Sequence, residues 1–240
     1  MIKQSEVDQW LADFLKRLRK RFGERLIFVG LHGSWARGEA GTTSDIDTIV
    51  VLDLIDSQDL IVFRDIIDAM PDAKRLASGG FFSISEIQLW PRSELMQFFY
   101  GCKTLHGTLT SIEKPRSIDF KEDIRIKASS NLFQARHYLL YPHNRSKVVH
   151  KLYYPFKACF YALQSWILLR DGKYIARKDE LLDFLSTPED REVIQVARDW
   201  KQLKQEFEKR PEYYIELLER WSRNMLLRLQ AYESNRDAKT

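Results

Sequence analysis

Cysteine is scarce. Cys102 and Cys159 are the only two in 240 residues and lie far apart without a metal-ligand pattern, so both read as reduced interior thiols rather than as a disulfide framework or a zinc site. Long hydrophobic runs are missing too: nothing approaches the roughly 20 apolar residues of a membrane span. The opening MIKQSEVDQW is too polar for a secretory leader. The expectation is a cytoplasmic protein with no membrane partner. Internal repeats and low-complexity linkers are absent, and only the stretch after Tyr232 reads as a polar tail. Charged residues make up 30% and hydrophobic ones 44%, an ordinary globular balance, and the length suits one large domain or two modest ones.

The net charge of +4 conceals an asymmetry. Between Ile124 and Lys178 eleven Lys or Arg stand against one acid, Asp171, giving that segment +10 and leaving the rest of the chain at −6.

Along the chain, Val7, Trp10, Leu11, Phe14, Leu15, Leu18 and Phe22 recur at three- and four-residue steps before Gly23, the mark of an amphipathic helix. RLIFVGL, from Arg25 to Leu31, reads as a buried strand. IDTIVVLD, from Ile46 to Asp53, reads as a second one, apolar on both faces as in a covered sheet. DLIVFRDIIDAM looks helical up to Pro71. SGG then suggests a hairpin turn leading into a third strand, FFSISEIQLW, closed by Pro91. Beyond Asp119 only helices are expected: Glu122 to Tyr141, Val148 to Arg170, one opening at Thr187-Pro188, and one from Glu212 with a stripe of Tyr214, Leu218, Trp221, Met225 and Leu229. The predicted architecture is α+β, a short mixed sheet with flanking helices at residues 1–119 followed by an all-α bundle at 120–240.

The chemistry gathers in HGSWARGEAGTTSDIDTIV, His32 to Val50. Side chains at i and i+2 of a strand share a face, so Asp45 and Asp47 present two carboxylates about 7 Å apart. Such a pair calls for a shared proton, an arginine or a divalent cation, and hard oxygen ligands favour Mg²⁺. Just upstream, Gly33 permits close backbone approach to an anion, and the Ser34 hydroxyl lies beside it. A phosphate held there would bridge to a metal held by the aspartates. A third carboxylate would complete a site for phosphoryl displacement. Glu86, between Ile84 and Ile87 on the predicted third strand, is the candidate as general base, metal ligand or both.

GSWARGEAGTTSDIDTIVVLD resembles the hGS…RG…SDxDhhh pattern of the DNA polymerase β-like nucleotidyltransferase superfamily, over about residues 25 to 92. The resemblance implies a nucleotidyltransferase fold, ATP or another NTP as donor, Mg²⁺ as cofactor and pyrophosphate as leaving group. It puts Gly33, Ser34 and Ser44 among the nucleotide-binding residues, whereas Arg37 and Gly38 fit a nucleotide contact or a polar turn. ALQSWILLRDGKYIARKDELLDFL is similar to the helical second domain of the aminoglycoside adenylyltransferases, which maps a phosphate-binding lysine onto Lys178 with one extra residue in the turn. An arginine of that subfamily falls near Gln164 here, with Lys157 as the candidate substitute. RSKVVH fits the arginine and histidine arrangement of HEPN-type ribonucleases at Arg145 and His150.

The implied activity is transfer of AMP from ATP to a hydroxyl acceptor, a small molecule or RNA. The rivals are an antitoxin-like or HEPN-type enzyme acting on RNA or protein, and a nucleotide-binding regulatory module without turnover. The +10 segment argues against a strongly polycationic aminoglycoside, because a pocket for several ammonium groups needs an acidic lining.

Overall fold

The structure is a computed structural model that describes residues 2–141, 148 and 151–237. Arg145 and His150, the elements of the HEPN-like pattern, lie outside the described residues, as does His143. The chain divides into two compact units, Met1–Pro115 and Arg116–Thr240. No described helix is long and apolar enough to cross a membrane.

In the first unit a four-stranded mixed sheet has the order β3-β2-β1-β4. Strand β1 (Leu26–Leu31) is antiparallel both to β2 (Ile46–Leu52) and to β4 (Lys103–Gly107), and β2 runs parallel to β3 (Ala77–Ser83). Successive strand residues face opposite sides, and both sides are apolar. Ile46, Val50 and Leu52 pack under helix α1 (Gln4–Phe22), whose Val7, Trp10, Leu11, Phe14, Leu18 and Phe22 form the expected stripe. Ile49 and Val51 face the other layer, with Phe28, Ile87, Leu95, Leu109 and Ile112. Gly23, at φ +56, ends α1 and donates its N–H to Arg19 O.

Arg25 locks this unit together. Its guanidinium donates to both carboxylate oxygens of Asp59 at 2.9 and 2.8 Å, to Asp53 at 3.1 Å and to the Leu54 carbonyl at 2.9 Å. The start of β1 is thereby tied to the loop after β2 and to helix α3 (Ser57–Asp68), whose first turn Asp56 caps by accepting from Asp59 N. A one-turn helix, α4 (Ala73–Leu76), leads into β3.

Two sequence expectations are overturned here. SGG is no hairpin turn but part of β3. Gly79 sits at φ +131, and a Cβ on it would lie 1.8 Å from Thr48 O, so only glycine lets β3 lie against β2 at that point. The third strand also begins and ends earlier than FFSISEIQLW suggested. At Ser83 the backbone turns into helix α5 (Ile84–Ile87), because the Ser83 hydroxyl accepts from Glu86 N and the Glu86 carboxylate accepts from Ser83 N, a reciprocal cap that stops a strand. Helix α6 (Met96–Tyr100) and the edge strand β4 follow, neither of them expected.

Every described regular element of the second unit is a helix, and the two long helices expected first appear as Ser117–Leu140 and Tyr153–Asp171. Thr187 caps the Pro188–Asp199 helix by accepting from Asp190 N, with Pro188 in the first turn. The stripe Tyr214, Leu218, Trp221, Met225 and Leu229 of the Pro211–Asp237 helix is buried. Buried polar groups fix how these helices meet. Asp190 accepts from Trp221 Nε1 at 2.9 Å and from Arg228 at 2.7 Å, Asp123 accepts from the Ser165 hydroxyl at 2.6 Å, and the Asn131 amide donates to Pro155 O at 2.9 Å.

Candidate active site

The candidate site is assembled from the end of β1, the turn that follows it and the start of β2. Beyond the Leu31 and Thr48 pair, His32 N donates to Asp47 O at 2.8 Å and carries the strand pairing one residue further. Gly33 then adopts φ +69, a conformation few side chains tolerate, and opens helix α2 (Gly33–Arg37). What the sequence suggested as a turn is thus a helical turn, whose first N–H groups have no acceptor within the helix.

The reason for glycine is the carboxylate behind it. A Cβ at position 33 would lie 2.1 Å from Asp47 Oδ2 and 3.0 Å from Asp47 Cγ. Asp47 therefore rests against the backbone that begins α2. Asp47 is half-buried on β2, while Asp45, one residue before the strand, is exposed. Alternation puts the two on one side of the strand, about 7 Å apart along it.

Between α2 and β2 the chain is held by its own polar groups. Gly38, at φ +69, closes α2, and Glu39 N donates to Ser34 O at 2.9 Å. Arg37 Nε donates to Glu39 Oε2 at 2.9 Å in a pair whose side chains are only 8% and 15% exposed. Ser44 closes the next turn, its N–H donating to Gly41 O and its hydroxyl accepting from Gly41 N. Both Arg37 and Ser44 are thus engaged in shaping the segment that links Ser34 to Asp45. Glu39, the partner that makes this possible, carried no signal beyond its spacing of two from Arg37.

Glu86 requires a correction. The parallel register pairs Asp47 with Ser78 and Leu52 with Ser83. Five strand residues separate those two rungs, about 16 Å at the usual rise. The Glu86 carboxylate is folded back onto Ser83 N at 2.7 Å, so it stands at the far end of the sheet from Asp47. It is not a third member of the aspartate site. The strand neighbour that shares Asp47's rung and face is Ser78, concealed in the sequence by an SGG that looked like a turn.

Asp45 and Asp47 supply two hard oxygen donors in a place where glycine keeps the backbone clear. That donor set fits one Mg²⁺ completed by substrate phosphates. Among the described residues no three His, Cys, Asp or Glu side chains come together as a ready ion cage.

The lysines expected to bind phosphate belong to the second unit. Lys178, first residue of the Lys178–Leu182 helix, holds its ammonium 4.7 Å from the Phe160 ring centroid, and Lys157 lies 5.8 Å from that of Tyr161. Gln164, where the resemblance would have an arginine, is fully buried. Its amide donates to Ile175 O at 2.7 Å and Ala176 O at 3.2 Å, fastening the segment that precedes Lys178. The basic excess of Ile124 to Lys178 is partly neutralised within the unit: Arg125 pairs with Glu233, Arg136 with Glu219, Lys127 with Asp123, Arg170 with Asp171 and Arg177 with Glu180.

Residues 11–127 match the model of a family described as nucleotidyltransferase domain. Among solved structures the chain is similar to the spectinomycin adenyltransferase AAD(9) from Enterococcus faecialis, solved with ATP and spectinomycin. The identity is 16%, the TM-score is 0.55, and the match covers 90% of this chain and 99% of that one. No curated protein matches the chain.

Proposed function

We propose that the chain, whose residues 11–127 match a nucleotidyltransferase-domain family, is a nucleotidyltransferase of the DNA polymerase β-like superfamily that transfers AMP from ATP to a hydroxyl of its acceptor, with release of pyrophosphate. The observation that carries the reading is the contact of Asp47 with Gly33, which joins a carboxylate pair to the N-terminus of α2 in one place. Mg²⁺, when bound, would neutralise charge across the triphosphate. Asp45 and Asp47 are the residues that would hold it.

The other roles follow from the chain's own groups. Backbone N–H groups at the start of α2 and the Ser34 hydroxyl bind the β and γ phosphates, since helix N-termini favour anions. The Arg37 and Glu39 pair and the Ser44 turn keep the segment between Ser34 and Asp45 in shape; a direct nucleotide contact from Arg37 would first have to open that pair. Lys178 and Lys157 of the helical unit are the proposed additional phosphate contacts. Residues 1–119 act as the catalytic domain, and residues 120–240 contribute to nucleotide and acceptor binding. The cytoplasm, which supplies ATP and Mg²⁺, is the proposed compartment.

For the acceptor, a neutral or anionic hydroxyl compound, RNA included, is favoured over a strongly polycationic aminoglycoside. Glu219 and Glu233, acids of the last helix that could have attracted ammonium groups, are engaged by Arg136 and Arg125. The test of the whole reading is pyrophosphate release from ATP with Mg²⁺, measured across a panel of hydroxyl compounds and RNA, in the wild type and in Asp47→Asn. Release by the wild type and its loss in a folded Asp47→Asn protein are expected. Equal turnover in the two proteins would remove Asp47 from the chemistry.

A further inference from the structure

The displacement of Glu86 leaves the position beside the aspartates to another residue, and the register identifies it. Asp47 is paired with Ser78 across parallel strands, so the two lie on one rung, about 4.8 Å apart between strands, with side chains on the same side of the sheet. That side is the one that carries Ile49 and Val51 on β2 and Phe82 on β3. An acid at position 78 would reach the same space as Asp47. The chain has a serine there, followed by Gly79 and Gly80, and β3 contains no acid at all. The buried acid of this unit, Asp59, is engaged by Arg25, and Asp123 and Asp190 belong to the second unit and are bound to their own partners.

We infer that Ser78 occupies the third position of the aspartate site and that, with a hydroxyl in place of a carboxylate, this chain holds one divalent cation with its nucleotide and has no sheet-borne general base. A divalent ion needs anionic oxygen ligands to be held beside an existing dication, because the two repel. Two carboxylates and a triphosphate satisfy one ion, and a neutral hydroxyl adds no charge for a second. The transfer balances without a protein base: the acceptor oxygen forms its bond to the α-phosphorus, the bond from that phosphorus to the β-bridging oxygen breaks, pyrophosphate takes the electron pair, and the hydroxyl proton passes to water.

This inference rests on the proposed nucleotide site, and the experiment separates the two. Mn²⁺ bound per chain is counted by electron paramagnetic resonance of the free ion, using full-length protein saturated with an ATP analogue whose α,β-bridge is methylene. Expected are one ion in the wild type and two in Ser78→Asp, with Ser78→Ala remaining at one. Two ions in the wild type would overturn the inference regardless of how the variants fold. A Ser78→Asp protein that melts like the wild type yet still binds one ion would remove position 78 from the site, and loss of the ion in Ser78→Ala would make the serine itself a ligand. No Mn²⁺ retained with bound nucleotide in any of the three proteins would instead refute the metal role of Asp45 and Asp47.

Discussion

The carboxylate of Asp47 occupies the volume that a side chain on Gly33 would need: a Cβ there would approach Oδ2 to 2.1 Å. Each residue therefore constrains the other, and the constraint links strand β2 to the turn that opens α2.

Gly33→Ala should cost activity out of proportion to stability. The methyl group must push Asp47 aside and the backbone must hold φ +69 with a side chain present. Strain of this kind amounts to about 1–3 kcal/mol, and displacement of the aspartate should lower turnover by at least tenfold, on the order of the loss from a misplaced reacting group. Urea unfolding and pyrophosphate release on the same preparation check this; wild-type turnover in Gly33→Ala would show that the Asp47 position is not catalytically important.

Glu86→Ala should do the opposite. Its carboxylate and the Ser83 hydroxyl cap α5 reciprocally, so truncation should destabilise the fold by about 0.5–2 kcal/mol while turnover stays within twofold of the wild type. A fall in turnover of a hundredfold or more, with an unchanged midpoint of unfolding, would restore the glutamate to the reaction.

Asp59 should shape the acid limb of stability. The hydrogen bonds from Arg25 hold its carboxyl below the usual carboxylate range, against the opposing effect of burial. A carboxyl with a depressed folded pKa binds its proton more readily when unfolded, so its contribution is complete above the unfolded value and drains as pH falls through the folded one. Unfolding free energy should accordingly drop more steeply below about pH 4 in the wild type than in Asp59→Asn. Denaturant titrations at several pH values report this, and parallel curves for the two proteins would contradict it.

Asp190→Leu should weaken the helical unit severely. The substitution leaves the Trp221 indole N–H and the Arg228 guanidinium without their acceptor in a buried setting, a class of change that costs about 3–5 kcal/mol. A melting temperature of the second unit within a degree or two of the wild type would mean that this contact contributes little.

Much of the fold could be read from the sequence because its signals were local or periodic. The α1 stripe, the two apolar strands before and after the Gly33 turn, the Thr187 and Pro188 start and the stripe from Tyr214 to Leu229 all depend on neighbours within a few residues. The pair Asp45 and Asp47 was legible for the same reason. Glu86 was misplaced because two signals overlapped. Ser83 and Glu86 carry the spacing of a helix cap, yet the apolar residues around them also suit a strand, and the cap prevailed. Ser78 is hidden in the sequence because SGG has the composition of a turn; only the register with Thr48, where a bare backbone is needed, explains Gly79. Likewise the charge of Ile124 to Lys178 stood out in sequence because the partners Glu219 and Glu233 come from a helix far along the chain.

The Gln164 amide holds the segment before Lys178 by donating to two backbone carbonyls from a fully buried position. A neutral amide does not titrate, and ions in solution screen exposed charges far more than buried dipoles. The course of the chain into Lys178 is accordingly set by a fastening indifferent to pH and ionic strength, whereas Arg177 and Glu180 beside it form an exposed pair that salt will loosen. Rising salt should therefore weaken the electrostatic pull of the Lys178 ammonium on an anion without altering where its helix begins.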